Sequence, residues 1–107
     1  MTTKADYLQR YAEGWTMGDV EKILGATAPG YRFGDPNQGP VARDRFLGYH
    51  RSFVKQCGST MMLSGVLAYE VGDKLVACCV WEAGGLRGTG LITVGETGVE
   101  REDVALL

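Results

Sequence analysis

The sequence lacks long apolar runs and a strong charge of either sign. None of its apolar segments approaches the roughly 20 residues that span a bilayer, and residues 1–6 contain no apolar segment like that of a signal peptide. The 11 basic and 13 acidic residues give a net charge of -2, so we expect no basic surface for nucleic acid or an acidic membrane. These absences predict a cytoplasmic protein that binds neither nucleic acid nor a membrane.

The sequence is also poor in metal ligands. It has one histidine, His50, and three cysteines, which form no Cys-x-x-Cys motif. Cys78 and Cys79 are adjacent, so on a strand they would point to opposite faces and could not easily share a metal or a disulfide. We predict no metal site and no organic cofactor, and we expect the cysteines to act as small buried apolar side chains in a reducing compartment.

Length and composition predict one folded domain that spans residues 1–107. A chain of this length can build a single core, and 45% hydrophobic and 22% charged residues are close to the averages for globular proteins. Glycine is abundant, with 16 residues, and most glycines follow residue 30, where they separate or interrupt strand-like runs.

Hydrophobic periodicity predicts helices first and strands later. The predicted helices are 4–15, 20–28 and 42–56, and the predicted strands are 31–33, 59–71, 75–82, 86–94 and 99–106. Asp19 is expected to cap the second helix, Gly65 to form a bulge, and strand 75–82 to be buried on both faces, because it is almost continuously apolar. This order predicts an α+β fold, in which a cone-shaped, curved antiparallel or mixed sheet wraps on the N-terminal helices and leaves an interior open at one end.

Several segments resemble the nuclear transport factor 2-like (NTF2-like) superfamily. They are 11–19 (YAEGWTMGD), 31–36 (YRFGDP), 88–94 (GTGLITV) and 97–99 (TGV), and the element order also matches along nearly the whole chain. The branches most similar to this chain are the SnoaL-like polyketide cyclases and the ketosteroid isomerases. The resemblance implies a cystatin-like α+β barrel but not one function, since the superfamily also includes hydrolases, dehydratases and non-catalytic binding modules.

Asp35 is the main candidate for a catalytic residue. It precedes Pro36 and is predicted to lie at a strand end, where the cone opens. A carboxylate beside an apolar cavity would have a raised pKa and could act as a general base, and the resemblance implies the same role, because Asp35 matches the proton-shuttling aspartate of the isomerases in its Asp-Pro context. The alternative is a turn residue whose side chain hydrogen-bonds the backbone of the loop.

Three further residues are candidates on the predicted helices. By resemblance, Tyr11 matches the isomerase tyrosine that donates a hydrogen bond to the developing oxyanion, and Tyr49 matches a supporting tyrosine. His50 lies in an apolar stripe and is either a catalytic acid or base or a hydrogen-bonded core residue. Tyr11 has the equivalent alternative, a core tyrosine that reaches a backbone carbonyl.

The sequence departs from the isomerase pattern at the second acid. Isomerases of this kind pair the tyrosine with a protonated aspartic acid, which the resemblance places on strand 86–94, and this strand contains no acidic residue. Arg87 and Asp103 match part of an epoxide hydrolase set that needs another carboxylate near Thr89. Glu82 needs a partner, for which Arg87 is the candidate, or a place at the cavity mouth.

The sequence therefore favours an enzyme that transfers protons on a small apolar ligand, as in isomerisation, cyclisation or dehydration. Its ligand-binding walls are predicted to be Trp15, Phe33, Tyr49, Phe53 and Trp81. The alternative is a non-catalytic ligand-binding or dimerisation module of the same fold. A homodimer through the sheet face is expected, because an antiparallel sheet with one uncovered apolar face usually needs cover.

Overall fold

The computed structural model of the chain describes residues 1–58 and 61–107. These residues form three α-helices and one six-stranded sheet. The helices are α1 (Lys4–Met17), α2 (Val20–Gly25) and α3 (Phe46–Cys57), and the strands are β1 (Thr27–Asp35), β2 (Gly39–Ala42), β3 (Met62–Val71), β4 (Lys74–Ala83), β5 (Leu86–Gly95) and β6 (Gly98–Leu106). The strands form one curved sheet in the order β2-β1-β6-β5-β4-β3.

The sheet is mixed. Strands β3 to β6 form the predicted antiparallel meander, β1 runs parallel to β6, and β2 folds back antiparallel on β1. The α+β prediction is confirmed. Because β1 runs parallel to β6, the C-terminal end of β1, which carries Asp35, lies beside β6.

Local signals fix the two N-terminal helices. Thr3 forms a capping box at the start of α1, and Gly18, in the left-handed conformation with φ 70°, ends it. Asp19 caps α2 as predicted. A Cβ atom on Gly14 would lie 2.8 Å from Ile23, so the glycine allows α2 to pack closely on α1.

Between the end of α2 and the start of α3, the structure differs from the sequence prediction. The second helix ends at Gly25 rather than residue 28, and β1 begins at Thr27 and continues through Pro29 and Gly30. Residues 34 and 35 belong to β1, residues 39–42 form β2, and α3 begins at Phe46 after a 3-10 turn. Pairing with β6 and β2 supplies backbone hydrogen bonds that the local turn formers of this region do not reveal.

Two predictions about the later strands have different outcomes. Gly65 has φ 59° and lies at a shift of register between β3 and β4, which confirms the bulge, although residues 59 and 60 of the predicted strand lie outside the described residues. The prediction that β4 is buried on both faces is wrong. Cys79 and Trp81 are buried whereas Cys78 and Val80 are exposed, because the helices cover only one face of the sheet.

Aromatic side chains fill most of the space between the helices and the sheet. Trp15 packs against Phe33, Phe46, His50 and Phe53, with ring centroids between 5.2 and 5.9 Å apart. These rings therefore occupy the depth of the cone. No described helix has the length and apolar character needed to cross a membrane.

Candidate functional site

A cavity lies at the mouth of the cone, between α3 and one end of the sheet. Its volume is about 140 Å³. The apolar part of its wall is formed by Phe33, Phe53, Met61, Trp81, Leu86 and Val104. Asp35 and Tyr49 are the acid and the phenol in this wall, and Asn37, Gln38, Ser52 and Gln56 add uncharged polar groups. The cavity therefore combines an apolar part with a polar part that contains the acid and the phenol.

Asp35 is held by three hydrogen-bond donors. The Tyr49 hydroxyl donates to Oδ2 over 2.5 Å, and the backbone N–H groups of Asn37 and Gln38 donate to Oδ1 over 2.7 and 2.8 Å. The carboxylate therefore forms the turn that was predicted as the alternative to catalysis. The same carboxylate also lines the cavity, so the structural role and a chemical role are compatible.

The predicted rise in the pKa of Asp35 is wrong. Burial raises the pKa of Asp35, but the hydrogen bonds from Tyr49, Gln38 and Asn37 favour the ionised form and bring the pKa below its usual value. Burial beside the cavity acts alone in the predicted rise, whereas in the structure the loop donors act against it. Asp35 is consequently a carboxylate at neutral pH and, while all three donors are in place, a weak base.

Tyr49 lies on α3 and is half-buried between the cavity and the surface. Burial and the hydrogen bond to the Asp35 carboxylate raise its pKa well above the usual value of 10. The phenol therefore stays protonated and can only donate to an anionic acceptor. A ligand oxygen that enters the cavity would compete with Asp35 for this one proton.

A second acid lies deeper in the fold. The Tyr11 hydroxyl donates to Glu102 Oε1 over 2.5 Å, and the hydroxyls of Tyr11 and Tyr31 are 2.6 Å apart. Because Tyr11 has only one hydroxyl proton, Tyr31 is the donor in the second bond. Glu102 is fully buried, and its Oε2 has no hydrogen-bond partner among the described residues.

Burial raises the pKa of Glu102 to about 7, against the lowering effect of the Tyr11 hydrogen bond and with a further rise from the charge of Asp103. Its carboxyl reaches over Gly90 on β5, where a Cβ atom would lie 2.6 Å from Oε2. Glu102 was not a sequence candidate, because the resemblance places the second acid on strand 86–94 itself. The signal in the sequence is Gly90, because a glycine on β5 leaves room for the long Glu102 side chain from β6.

The structure brings together only part of the predicted site. Asp35, Phe33, Tyr49, Phe53 and Trp81 line the cavity. The other three predicted residues, Tyr11, Trp15 and His50, lie in the core and outside the cavity lining. Their roles in catalysis or ligand binding stay predictions.

His50 has the environment of a core residue. Its ring packs against Trp15 and Phe46, and its Nε2 has no hydrogen-bond partner within the described part of the chain. Loss of hydration lowers its pKa below the usual value of 6.5. The imidazole is therefore neutral near pH 7.

The remaining polar candidates lie on the outer face of the sheet. Glu82 and Arg87 are register partners on β4 and β5, and Asp103 pairs with Arg101, with Nε and Oδ2 2.9 Å apart. Within residues 1–58 and 61–107, no group of three or more histidine, cysteine, aspartate or glutamate side chains is placed to hold a metal ion.

Comparison with known proteins identifies the fold. No family model and no curated protein matches the chain, but solved structures do. An NTF2-like protein of unknown function from Cytophaga hutchinsonii matches with a TM-score of 0.76 and 10% identity, over 100% of this chain and 92% of that one. IdmH from Streptomyces antibioticus, a proposed polyketide cyclase, matches with a TM-score of 0.69 and 18% identity, over 97% and 91%.

TerC, co-crystallised with polyporic acid, matches with a TM-score of 0.74 and 18% identity, over 97% of this chain and 91% of that one. A further match has a cystatin-like fold. The chain therefore has the NTF2-like, cystatin-like α+β fold that its sequence predicted. At these identities the likeness establishes the fold and leaves the function to the residues of the site.

Proposed function

We propose that this protein binds a small, mainly apolar molecule in the cavity at the mouth of the cone and catalyses a proton transfer on it. The observation that carries the proposal is the hydrogen-bonded pair of Asp35 and Tyr49 in the wall of a cavity that is also lined by several apolar side chains. Asp35 is the general base, and Tyr49 takes the place of Tyr11 as the donor to the ligand oxygen. Isomerisation, cyclisation and dehydration are the reaction types that need such a pair.

The proposed step depends on competition for the Tyr49 proton. When a ligand carbonyl accepts this hydrogen bond, Asp35 loses one of the three donors that lower its pKa, and its basicity rises. Asp35 Oδ2 then removes a proton from the carbon next to the carbonyl, while Tyr49 stabilises the negative charge that develops on the ligand oxygen. The protonated Asp35 returns the proton to another atom of the ligand, so the step is balanced with these two residues alone.

Two matching structures support a small-molecule ligand. TerC was crystallised with polyporic acid, and IdmH is a proposed polyketide cyclase. Both have the same fold as this chain, although their low identity carries no residue role across.

A non-catalytic binding module is the second candidate function. The lowered pKa of Asp35 favours it, because a carboxylate stabilised by three donors is a poor proton acceptor. Binding is common to both functions, so turnover decides between them.

The test begins with a thermal-shift screen of aromatic ketones and lactones, and each compound that stabilises the protein is then assayed for turnover. We expect turnover that is lost in Asp35→Asn and strongly reduced in Tyr49→Phe, while Asp73→Asn, a change of the same kind in the distant β3–β4 turn, leaves it intact. Binding without turnover of any compound would favour the binding module. Turnover that survives in Asp35→Asn would rule out Asp35 as the base.

A further inference from the structure

A polar groove continues from the cavity along the surface of α3. Its volume is about 690 Å³. The residues that line only the groove are Pro40, Val41, Asp44, Arg45 and Gly48, and those that line both the groove and the cavity are Gln38, Tyr49, Ser52 and Gln56. The two spaces therefore adjoin, and a ligand can extend from one to the other past Tyr49.

The size of the cavity limits what it can hold. An engineered cavity of about 150 Å³ binds benzene, whereas sites for drug-sized ligands measure about 300–1,000 Å³. With a volume of about 140 Å³, this cavity has room for a single ring. Any larger ligand must leave the cavity, and the groove shares four lining residues with the cavity, whereas the space over β1, β2 and β6 shares two, Asp35 and Val104.

The side chains of the groove favour a neutral, hydrogen-bonding group. Gln38 and Gln56 offer amides and Ser52 offers a hydroxyl, each able both to donate and to accept. Asp44 and Arg45 are adjacent and opposite in charge, so the groove has no net charge with which to select an anion. Hydroxyl groups, which also donate and accept, match this lining better than a phosphate or a carboxylate does.

Gly48 keeps the groove open. It lies in the N-terminal half of α3, and a Cβ atom at this position would meet no heavy atom within 4 Å. Glycine inside a helix costs about 1 kcal/mol relative to alanine, so this residue weakens α3 while it widens the groove. A side chain placed here would project into the groove without strain.

We propose that the ligand of this protein has two parts, a single apolar ring that occupies the cavity and a neutral, hydroxyl-bearing extension that lies in the groove along α3. This inference rests on the proposed function, since it assumes that the cavity is the binding site. It adds the groove as a second subsite and excludes large fused-ring molecules from the cavity.

Phenol and phenyl β-D-glucoside form a matched pair of probes, and phenyl phosphate is the charged comparison. Affinities are measured by ligand-observed NMR and calorimetry. We expect the glucoside to bind about tenfold more tightly than phenol, as one or two net hydrogen bonds would give, and phenyl phosphate to show no such gain. Gly48→Leu should abolish the gain of the glucoside and change the affinity for phenol less than about twofold.

Gly25→Leu is the control, because Gly25 also has open space around its Cβ position but lies outside the groove. It should keep the gain of the glucoside, and Gly48→Ala, with a smaller side chain, should reduce the gain in part. Equal affinity for phenol and the glucoside, or a gain that persists in Gly48→Leu, would overturn the two-part ligand. A gain for phenyl phosphate would overturn its neutral chemistry. Failure of phenol itself to bind would instead count against the proposed function.

Discussion

Glu102 is the residue whose environment differs most from its usual one. It is fully buried with one hydrogen bond, from Tyr11, while its second oxygen has no partner in the described part of the chain. An ionised carboxylate in this place would lose its hydration with little compensation. The fold therefore favours the protonated acid, and its stability depends on pH through this buried group.

The free energy of unfolding is expected to fall as the pH rises from about 4.5 to about 7. The pKa of Glu102 is raised from 4.5 to about 7 in the folded chain. Above about pH 4.5 the carboxyl is therefore ionised in the unfolded chain but still protonated in the folded one, and this ionisation favours unfolding. At about 1.4 kcal/mol for each pKa unit, the fold should lose about 3 kcal/mol between pH 4.5 and 7, and no more above this range. Urea unfolding at a series of pH values measures the loss.

Glu102→Gln is the control for this prediction, since it removes the titration and preserves the shape. His50 acts in the opposite direction, because its lowered pKa makes stability fall as the pH falls below 6.5. The quantity to compare is therefore the difference between wild type and Glu102→Gln at each pH. A difference that does not change between pH 4.5 and 7 would show that Glu102 is ionised in the folded protein.

The hydrogen bond from Tyr49 is expected to control the acidity of Asp35. NMR titration of the Asp35 carboxyl should give a pKa below 3.8 in the wild type and a higher value in Tyr49→Phe, because the phenylalanine cannot donate. Ser52→Ala, a change elsewhere in the cavity wall that keeps both partners of the Tyr49–Asp35 hydrogen bond, should leave the pKa at its wild-type value. If Tyr49→Phe leaves it unchanged too, Tyr49 does not modulate the base.

At the scale of the residue, sequence could predict the chemistry of the cavity wall but not which of its side chains hydrogen-bond to each other. Asp35 was found from its Asp-Pro context, and Tyr49 as a supporting tyrosine. Their hydrogen bond depends on the position of α3 relative to the end of β1, which no local signal contains. Glu102 was missed because its burial depends on a glycine of the neighbouring strand.

At the scale of the element, prediction succeeded where the signal is local. Asp19 and Gly18 mark the ends of two helices, and the turn at residues 72–73 separates β3 from β4. It failed at the start of β1 and at β2. There β1 is stabilised by pairing with β6, some 70 residues further along the chain, on both sides of a register irregularity between Thr27 and Arg32 that contains Pro29 and Gly30, and β2 is stabilised by pairing with β1.

Gly90 on β5 leaves room for the Glu102 carboxyl from β6 and the Cys79 thiol from β4. We expect Gly90→Ala to destabilise the protein by about 1–3 kcal/mol, because its Cβ would lie 2.6 Å from Glu102 Oε2 and 3.1 Å from Cys79 Sγ. Gly30→Ala, a strand glycine with open space around its Cβ position, is the matched control and should change stability by less than about 0.5 kcal/mol. Thermal and urea unfolding measure both variants.

The Gly90→Ala cost should also depend on Glu102. In a Glu102→Ala background the carboxyl is gone, so the added methyl group should cost clearly less than in the wild type. Equal costs in the two backgrounds would mean that the neighbouring strand, and not the buried acid, requires the glycine.

At the scale of the whole molecule, one face of the sheet is apolar and uncovered. Leu67, Cys78, Val80, Leu91 and Ala105 line one shallow depression on this face, and all of them are exposed. Charged residues of both signs form its border: Asp103 lines the depression, and Glu82, Arg87 and Arg101 follow on the same face in the sheet register. A border of this kind can pair with itself across a two-fold axis, so we propose that a second copy of the chain covers this face.

The last prediction tests this assembly. Light scattering coupled to gel filtration should give about twice the 11.6 kDa mass of one chain for the wild type. Leu67→Asp should give the monomer mass, because a carboxylate in an apolar interface loses its hydration without a partner. Leu67 lies opposite Cys78 and beside no acidic side chain in the sheet register, so the folded monomer should tolerate the change. Leu47→Asp alters an exposed leucine on α3, outside the apolar face, and should remain a dimer. A wild type that is a monomer, or a dimer that both variants disrupt equally, would exclude the sheet face as the interface.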